Sequence, residues 1–254
     1  MTESTAAAKA ASQAPALPAA QQHSAATHFI TAIWTSVIGK KIVMAVTGAI
    51  LVLFVLAHMA GNLKIFSGPE EINAYSRFLR EVGWPEFSYG QLLWLVRIVL
   101  LVSVLLHITA AYQLTMLNRR ARPVDYSTKK NVETGIAALT MRWSGVLLIV
   151  FVIFHITHFT LGAVGFQPGQ FVHLMVYQNV VAGFSLWPVS FFYIAAMAAL
   201  ALHLHHGIWS AFQTLGWSNA RHQHSLQIIS KILALLIFLG FSSVPVAVLA
   251  GWVR

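Results

Sequence analysis

The chain has 254 residues, 57% of them hydrophobic and only 9% charged, with a formal net charge of +9 and a mean hydropathy of +0.70. Roughly a quarter of the residues in a soluble domain are charged, so this composition excludes an ordinary soluble protein and points to an integral membrane one. Cysteine is absent, which excludes disulfides, cysteine-ligated iron–sulfur clusters and covalent c-type haem attachment on this chain.

In chain order, residues 1–28 are rich in Ala, Gln and Ser and lack both hydrophobic periodicity and a signal-peptide core. They read as a disordered cytoplasmic tail, leaving 29–254 as the membrane domain. Five apolar segments follow, at about 41–63, 91–117, 142–163, 187–215 and 229–252. Each is near the ~20 residues that span a hydrocarbon core. Lipid offers no partner to open backbone, so these runs predict helices, and the fold class is an all-α bundle of five transmembrane helices.

Basic residues sort by side. Lys9, Lys40, Lys41, Arg119, Arg120, Arg122, Lys129, Lys130, Arg142, Arg221 and Lys231 fall on the N-terminal side, against Lys64, Arg77, Arg80 and Arg254 on the other. The positive-inside rule then predicts a cytoplasmic N-terminus and an external C-terminus. The basic face reads either as topology and contact with anionic lipid or as a docking surface for a cytoplasmic partner, helped by an amphiphilic 119–141 connection. Nothing in the chain suggests nucleic-acid binding.

Twelve histidines are the only plentiful side chains that ligate transition metals. His23, His28, His173, His222 and His224 fall in the tail or connections and read as solvated surface. The other seven lie in spans: His58, His107, His155 and His158, and then His203, His205 and His206. Ionisable residues within a membrane are costly and by default functional; the alternative for any one of them is a hydrogen bond to a neighbouring helix. The first span reads TGAILVLFVLAH (47–58) and the third SGVLLIVFVIFH (144–155), which align without a gap and make His58 and His155 equivalent. In the second and fourth spans, His107 and His203 are each followed four residues on by a small residue, Ala111 and Gly207. That leaves room on the same face for a flat macrocycle. His203 is therefore the candidate ligand of its span, with His206 second.

Depth pairs these residues. His58 and His155 fall roughly 20–25 Å from the N-terminal-side surface at ~1.5 Å per residue, and His107 and His203 roughly 16–18 Å from it. Two imidazoles on facing helices with a planar space between them suit bis-histidine haem b. Zinc or copper would gather three or four ligands at one level.

The chain resembles the five-helix, di-haem cytochrome b558 membrane subunit of succinate dehydrogenase and fumarate reductase. The resemblance runs from about Gly39 to the C-terminus. It rests on GKKIVMAVTG, HMAGNL, IFSGPEEINAYSRFLR, RWSG with a histidine ten residues after its glycine, and HLHHGIWSAFQTLG. It implies two haem b groups, His58 with His155 holding the distal iron and His107 with His203 the proximal one, and it favours His203 over His206. It further implies a flavoprotein subunit and an iron–sulfur subunit as partners, and menaquinone or ubiquinone as the membrane substrate. The whole would be a respiratory-chain and tricarboxylic-acid-cycle complex in the bacterial inner membrane, open to homo-oligomerisation as a complex. The dicarboxylate site would not be on this chain.

The resemblance also suggests site residues. Glu81 and Glu86, before the second span, are candidates for quinone proton exchange or are solvated loop acids. Arg97 either pairs with a haem propionate or snorkels to the interface, and Arg142 and Ser144 are candidates to meet the proximal propionates. One branch of the family carries a glutamate two residues before the fourth ligand; here that position is Ala201, which argues against a proton path of that kind. The competing readings are a histidine-based metal or proton transporter, for which broken helices at a midplane site are expected, a bc-type cytochrome b, and a structural anchor without haem. The bc-type reading expects two ligands on one helix about 13 residues apart, and no such pair occurs within a span.

Overall fold

The computed structural model describes residues 31–121, 136–219 and 221–254, with side chains from residue 140 onward in the second stretch. The tail, Arg122, Lys129, Lys130, His23 and His28 lie outside the described residues. Two compact units are distinguished, with the boundary between Lys41 and Ile42. The described part of the first, 31–41, is helical with a bend at Ser36. Ser36 Oγ accepts from the Gly39 N–H at 2.9 Å, and the Lys40 ammonium donates to the Thr35 carbonyl at 3.2 Å.

The helices are α1 (Val37–Leu63), α2 (Pro69–Glu81), α3 (Gln91–Arg120), α4 (Ile136–His155), α5 (Val176–Phe184), α6 (Trp187–Thr214) and α7 (Gln223–Leu249). No strand occurs among the described residues. Five helical stretches are long and apolar enough to cross a membrane: Val37–Ser67, Gln91–Arg120, Thr140–Thr160, Trp187–Thr214 and Gln223–Leu249. They match the five predicted segments but run past them at several ends, because hydropathy marks the apolar slab whereas backbone hydrogen bonding continues through polar flanks. Trp84, Trp94, Trp143, Trp187, Trp217 and Trp252 are all exposed and all stand at or just beyond the ends of spans, as in the aromatic belts of membrane proteins.

The connections 64–90 and 163–186, expected as loops, each contain a helix. α2 has Pro69 at its start, Glu70 and Glu71 in its first turn and Arg80 in its last, an order that suits both the missing proline N–H and the helix dipole. Its buried Asn73 ties it to α5, accepting from the Tyr177 N–H at 3.1 Å and donating to Gln178 at 3.4 Å. Within the second connection, Asn179 accepts from the Val172 N–H at 2.9 Å and donates to the Val172 carbonyl at 2.7 Å. These side chains satisfy backbone groups that no regular element reaches.

Packing is uneven. α6 packs closely against α7 and α4, whereas α1 meets α3 through the His107 side chain, which reaches the Met44 carbonyl and Thr47. One core cluster joins Ile65, Ile72, Val180, Phe184 and Tyr193 to Val244, Ala247 and Val248. A second joins Leu204, Ala234 and Ile237, with Val52, Val55 and Met59 against them. α4 passes directly into a π-helical segment, Ile156–Thr160, of the kind that recurs at functional sites.

Candidate functional site

α1, α3, α4 and α6 each contribute one histidine to two facing pairs. His107 and His203 have ring centroids 6.4 Å apart with an interplanar angle of 57°, and His58 and His155 have centroids 5.8 Å apart at 83°. Each pair joins two helices that are not neighbours in sequence. Thr47, which touches His107, precedes His58 by eleven residues, and Ser144, which touches His203, precedes His155 by eleven. At 1.5 Å rise per residue the two levels are about 16 Å apart along the bundle.

The level at His107 and His203 is built symmetrically from the internal repeat. His107 Nδ1 lies 3.1 Å from the Met44 carbonyl and 3.2 Å from Thr47 Oγ1. A carbonyl only accepts, so Nδ1 carries the proton and Nε2 is the ring's free lone pair. The Thr47 hydroxyl donates to the Val43 carbonyl at 2.7 Å, which turns its oxygen toward the ring. Ser144, at the equivalent place on α4, donates to the Met141 carbonyl at 3.0 Å and stands 3.2 Å from His203 Nδ1. The glycines that follow complete the match: a Cβ on Gly48 would stand 3.3 Å from His107 Cε1, and one on Gly145 3.6 Å from His203 Cε1.

The level at His58 and His155 is aromatic. Phe54 stacks on His58 at 5.2 Å and Phe241 lies 5.8 Å from it, while Phe151 and Phe159 flank His155 at 5.8 and 6.0 Å. The Tyr193 hydroxyl, from α6, is 3.3 Å from His155 Nδ1 and 3.0 Å from His158 Nδ1.

These contacts separate the three histidines of α6. His203 faces His107, His205 Nδ1 is 2.9 Å from the Ser230 hydroxyl on α7, and His206 stands edge-on to Trp209 of its own helix. His158, set aside by the sequence repeat, is fully buried.

Metal–imidazole bonds of about 2.0–2.1 Å, extended to the ring centres, put two trans imidazoles on one metal about 6 Å apart between centroids. Both observed separations fit that distance. Among the described residues no three His, Cys, Asp or Glu side chains gather as a metal site, so two imidazoles per level is the whole protein donor set found there.

Of the remaining sequence candidates, only Ser144 touches a paired histidine. Glu81 ends α2 and Glu86 follows in the turn; both are exposed, and neither carboxylate hydrogen-bonds or forms an ion pair among the described residues. Arg97 lies over the Trp94 ring, 4.9 Å from its centroid. Arg142 is exposed, whereas Ser144, expected beside a propionate, has its hydroxyl on His203. Sequence reading missed Thr47, Gly48, Gly145 and Tyr193 as parts of the site. The hydroxyl–Gly start shared by the two repeats was the available signal for three of them; nothing in the sequence marked Tyr193. Compared with known proteins, the chain matches no family model, no curated protein and no solved structure at a significant level.

Proposed function

We propose that this chain is the di-haem cytochrome b membrane-anchor subunit of a succinate:quinone oxidoreductase, exchanging electrons between an iron–sulfur subunit and a membrane quinone. The observation that carries the reading is the pairing of one histidine from each of four membrane-crossing helices, at centroid separations of 5.8 and 6.4 Å. Two protein nitrogens per level would leave a transition metal short of ligands, and a tetrapyrrole would supply the remainder. Haem b bound through two histidines supplies one-electron redox chemistry with no open coordination position.

The chain's own residues fix the ligands. At His107, His203 and His155 an Nδ1–H donated to a carbonyl or hydroxyl holds the ring in one tautomer, leaves Nε2 as the free lone pair and enriches it in electrons; His58 is held by its aromatic neighbours. His58 with His155 would hold one iron, and His107 with His203 the other. Arg97 and Arg142 stand in the proposal as cofactor-side residues, while Ser144 acts through His203. Glu81 and Glu86 stand in it as the carboxylates that give and take the quinone proton. By the distribution of basic residues, the His107/His203 level lies toward the cytoplasmic face of a bacterial inner membrane, where the flavoprotein and iron–sulfur subunits dock.

The test is a succinate-reduced minus oxidised spectrum of the complex purified through a tag on this chain. A cytochrome b band that appears with succinate and is lost with malonate, in a preparation containing two soluble subunits, is the expected result. A dithionite-reducible cytochrome that succinate never reduces overturns the succinate assignment, and a preparation with no cytochrome overturns the electron-transfer reading.

A further inference from the structure

His158 is absent from the ligand scheme, yet the fold is built closely around it. The residue is fully buried within the π-helical segment that follows His155. Its ring lies 4.0 Å from Phe159 and 4.7 Å from Phe166 between centroids. A Cβ on either of two glycines would collide with it: 2.8 Å from Nε2 at Gly165, which also has φ +74°, and 2.7 Å from Nε2 at Gly183. Nε2 makes no well-formed hydrogen bond among the described residues and lies against the Gly165 backbone.

The Tyr193 hydroxyl links this ring to the paired histidines, since it lies within hydrogen-bond distance of Nδ1 on both His155 and His158. A phenol has a single proton to donate, so the two rings cannot stand in the same relation to it. If His155 binds a metal through Nε2, its Nδ1 must carry the proton and donate to Tyr193 Oη. The tyrosine proton is then free to go only to His158 Nδ1, and the His158 proton must sit on Nε2, against the two glycines. The reverse order would leave His155 Nδ1 bare and put its proton on Nε2, blocking ligation.

We propose that His155, Tyr193 and His158 form one directed hydrogen-bond chain in which His158, acting through Tyr193, fixes the tautomer of His155 and tunes its electron density. His158 and Tyr193 are thus positioning residues of the aromatic level. The inference rests on His155 being an axial ligand. Orientation of a metal-bound imidazole by an outer partner is general; what is particular here is a second histidine as the terminal acceptor, with the tyrosine polarised between the two.

The test is a redox titration with low-temperature EPR on the purified haem-loaded protein. Tyr193→Phe removes the acceptor of His155 Nδ1–H, which weakens the ligand as a donor to the ferric state. One of the two midpoints rises, by about a tenfold change in the reduction equilibrium, or about 59 mV for one electron, and the other stays fixed. His158→Leu shifts the same midpoint in the same direction. His158→Asn, with Oδ1 near the place of Nδ1, restores it, and the Tyr193→Phe/His158→Leu double variant shifts no further than Tyr193→Phe alone. Two haems with both midpoints unmoved in Tyr193→Phe and in His158→Leu overturn the chain while leaving the ligand reading intact. If His158→Leu fails to fold, Tyr193→Phe alone decides. A wild-type protein with no haem overturns the ligand reading, and the chain falls with it.

Discussion

At the His107/His203 level, each ring's Nδ1 meets a hydroxyl from the preceding span, Thr47 or Ser144, one residue before a glycine that lets the ring approach the helix. At the His58/His155 level the rings sit among phenylalanines, and the polar contact to His155 is a tyrosine shared with His158. The repeat therefore serves two purposes. Its end supplies the paired histidines of one level, and its beginning buttresses the paired histidines of the other. A helix built this way cannot drift along its axis without disturbing both levels, which is an economical way to hold two sites at a set spacing.

The largest expected effects test the separateness of the levels. His107→Ala and His203→Ala should each abolish the same one of two haem signals in a reduced-minus-oxidised spectrum, and His58→Ala and His155→Ala the other. His205→Ala and His206→Ala should abolish neither. Loss of both signals in every variant would mean that the levels assemble as one unit. A subtler break uses Thr47→Val, which removes one of two acceptors from His107 Nδ1–H but leaves the Met44 carbonyl. The midpoint of that level alone should rise, by about threefold in its reduction equilibrium, following the weaker ligand; redox titration measures it.

The glycines give a graded comparison. A methyl group at position 48 comes 3.3 Å from His107, tighter than ordinary contact, whereas at position 145 the distance is 3.6 Å. Gly48→Ala should therefore perturb the EPR g-values of the His107/His203 signal more than Gly145→Ala does. The smallest effect is expected from Ser230→Ala. It removes the partner of His205 and should cost about 1 kcal/mol of stability, read as a lower melting temperature in detergent, with the haem content unchanged.

The spans and the four paired histidines were legible in the sequence because each rests on a local pattern: an apolar run for the spans, equivalent places in a repeat for His58 and His155, and a small residue four positions on for His107 and His203. α2 and α5 were not. PEEINAYSRFLRE is amphipathic and short, so it gives no apolar run, and its burial depends on Asn73 meeting a helix about a hundred residues away. His158 was passed over because it has no counterpart in the repeat; the π-helical segment shifts the register after His155, which hydrophobic periodicity does not reveal. The role of Thr47 was half visible. The recurrence of hydroxyl–Gly could be read, but the neighbour it serves, 60 residues on, is fixed only by helix packing.

The most direct test of the whole account is the amount of haem b extracted per chain from the purified, folded protein. The account predicts two haems per chain, falling to one in the His107→Ala/His203→Ala double variant. No haem in the folded wild-type protein, or two haems undiminished by that double substitution, would contradict it.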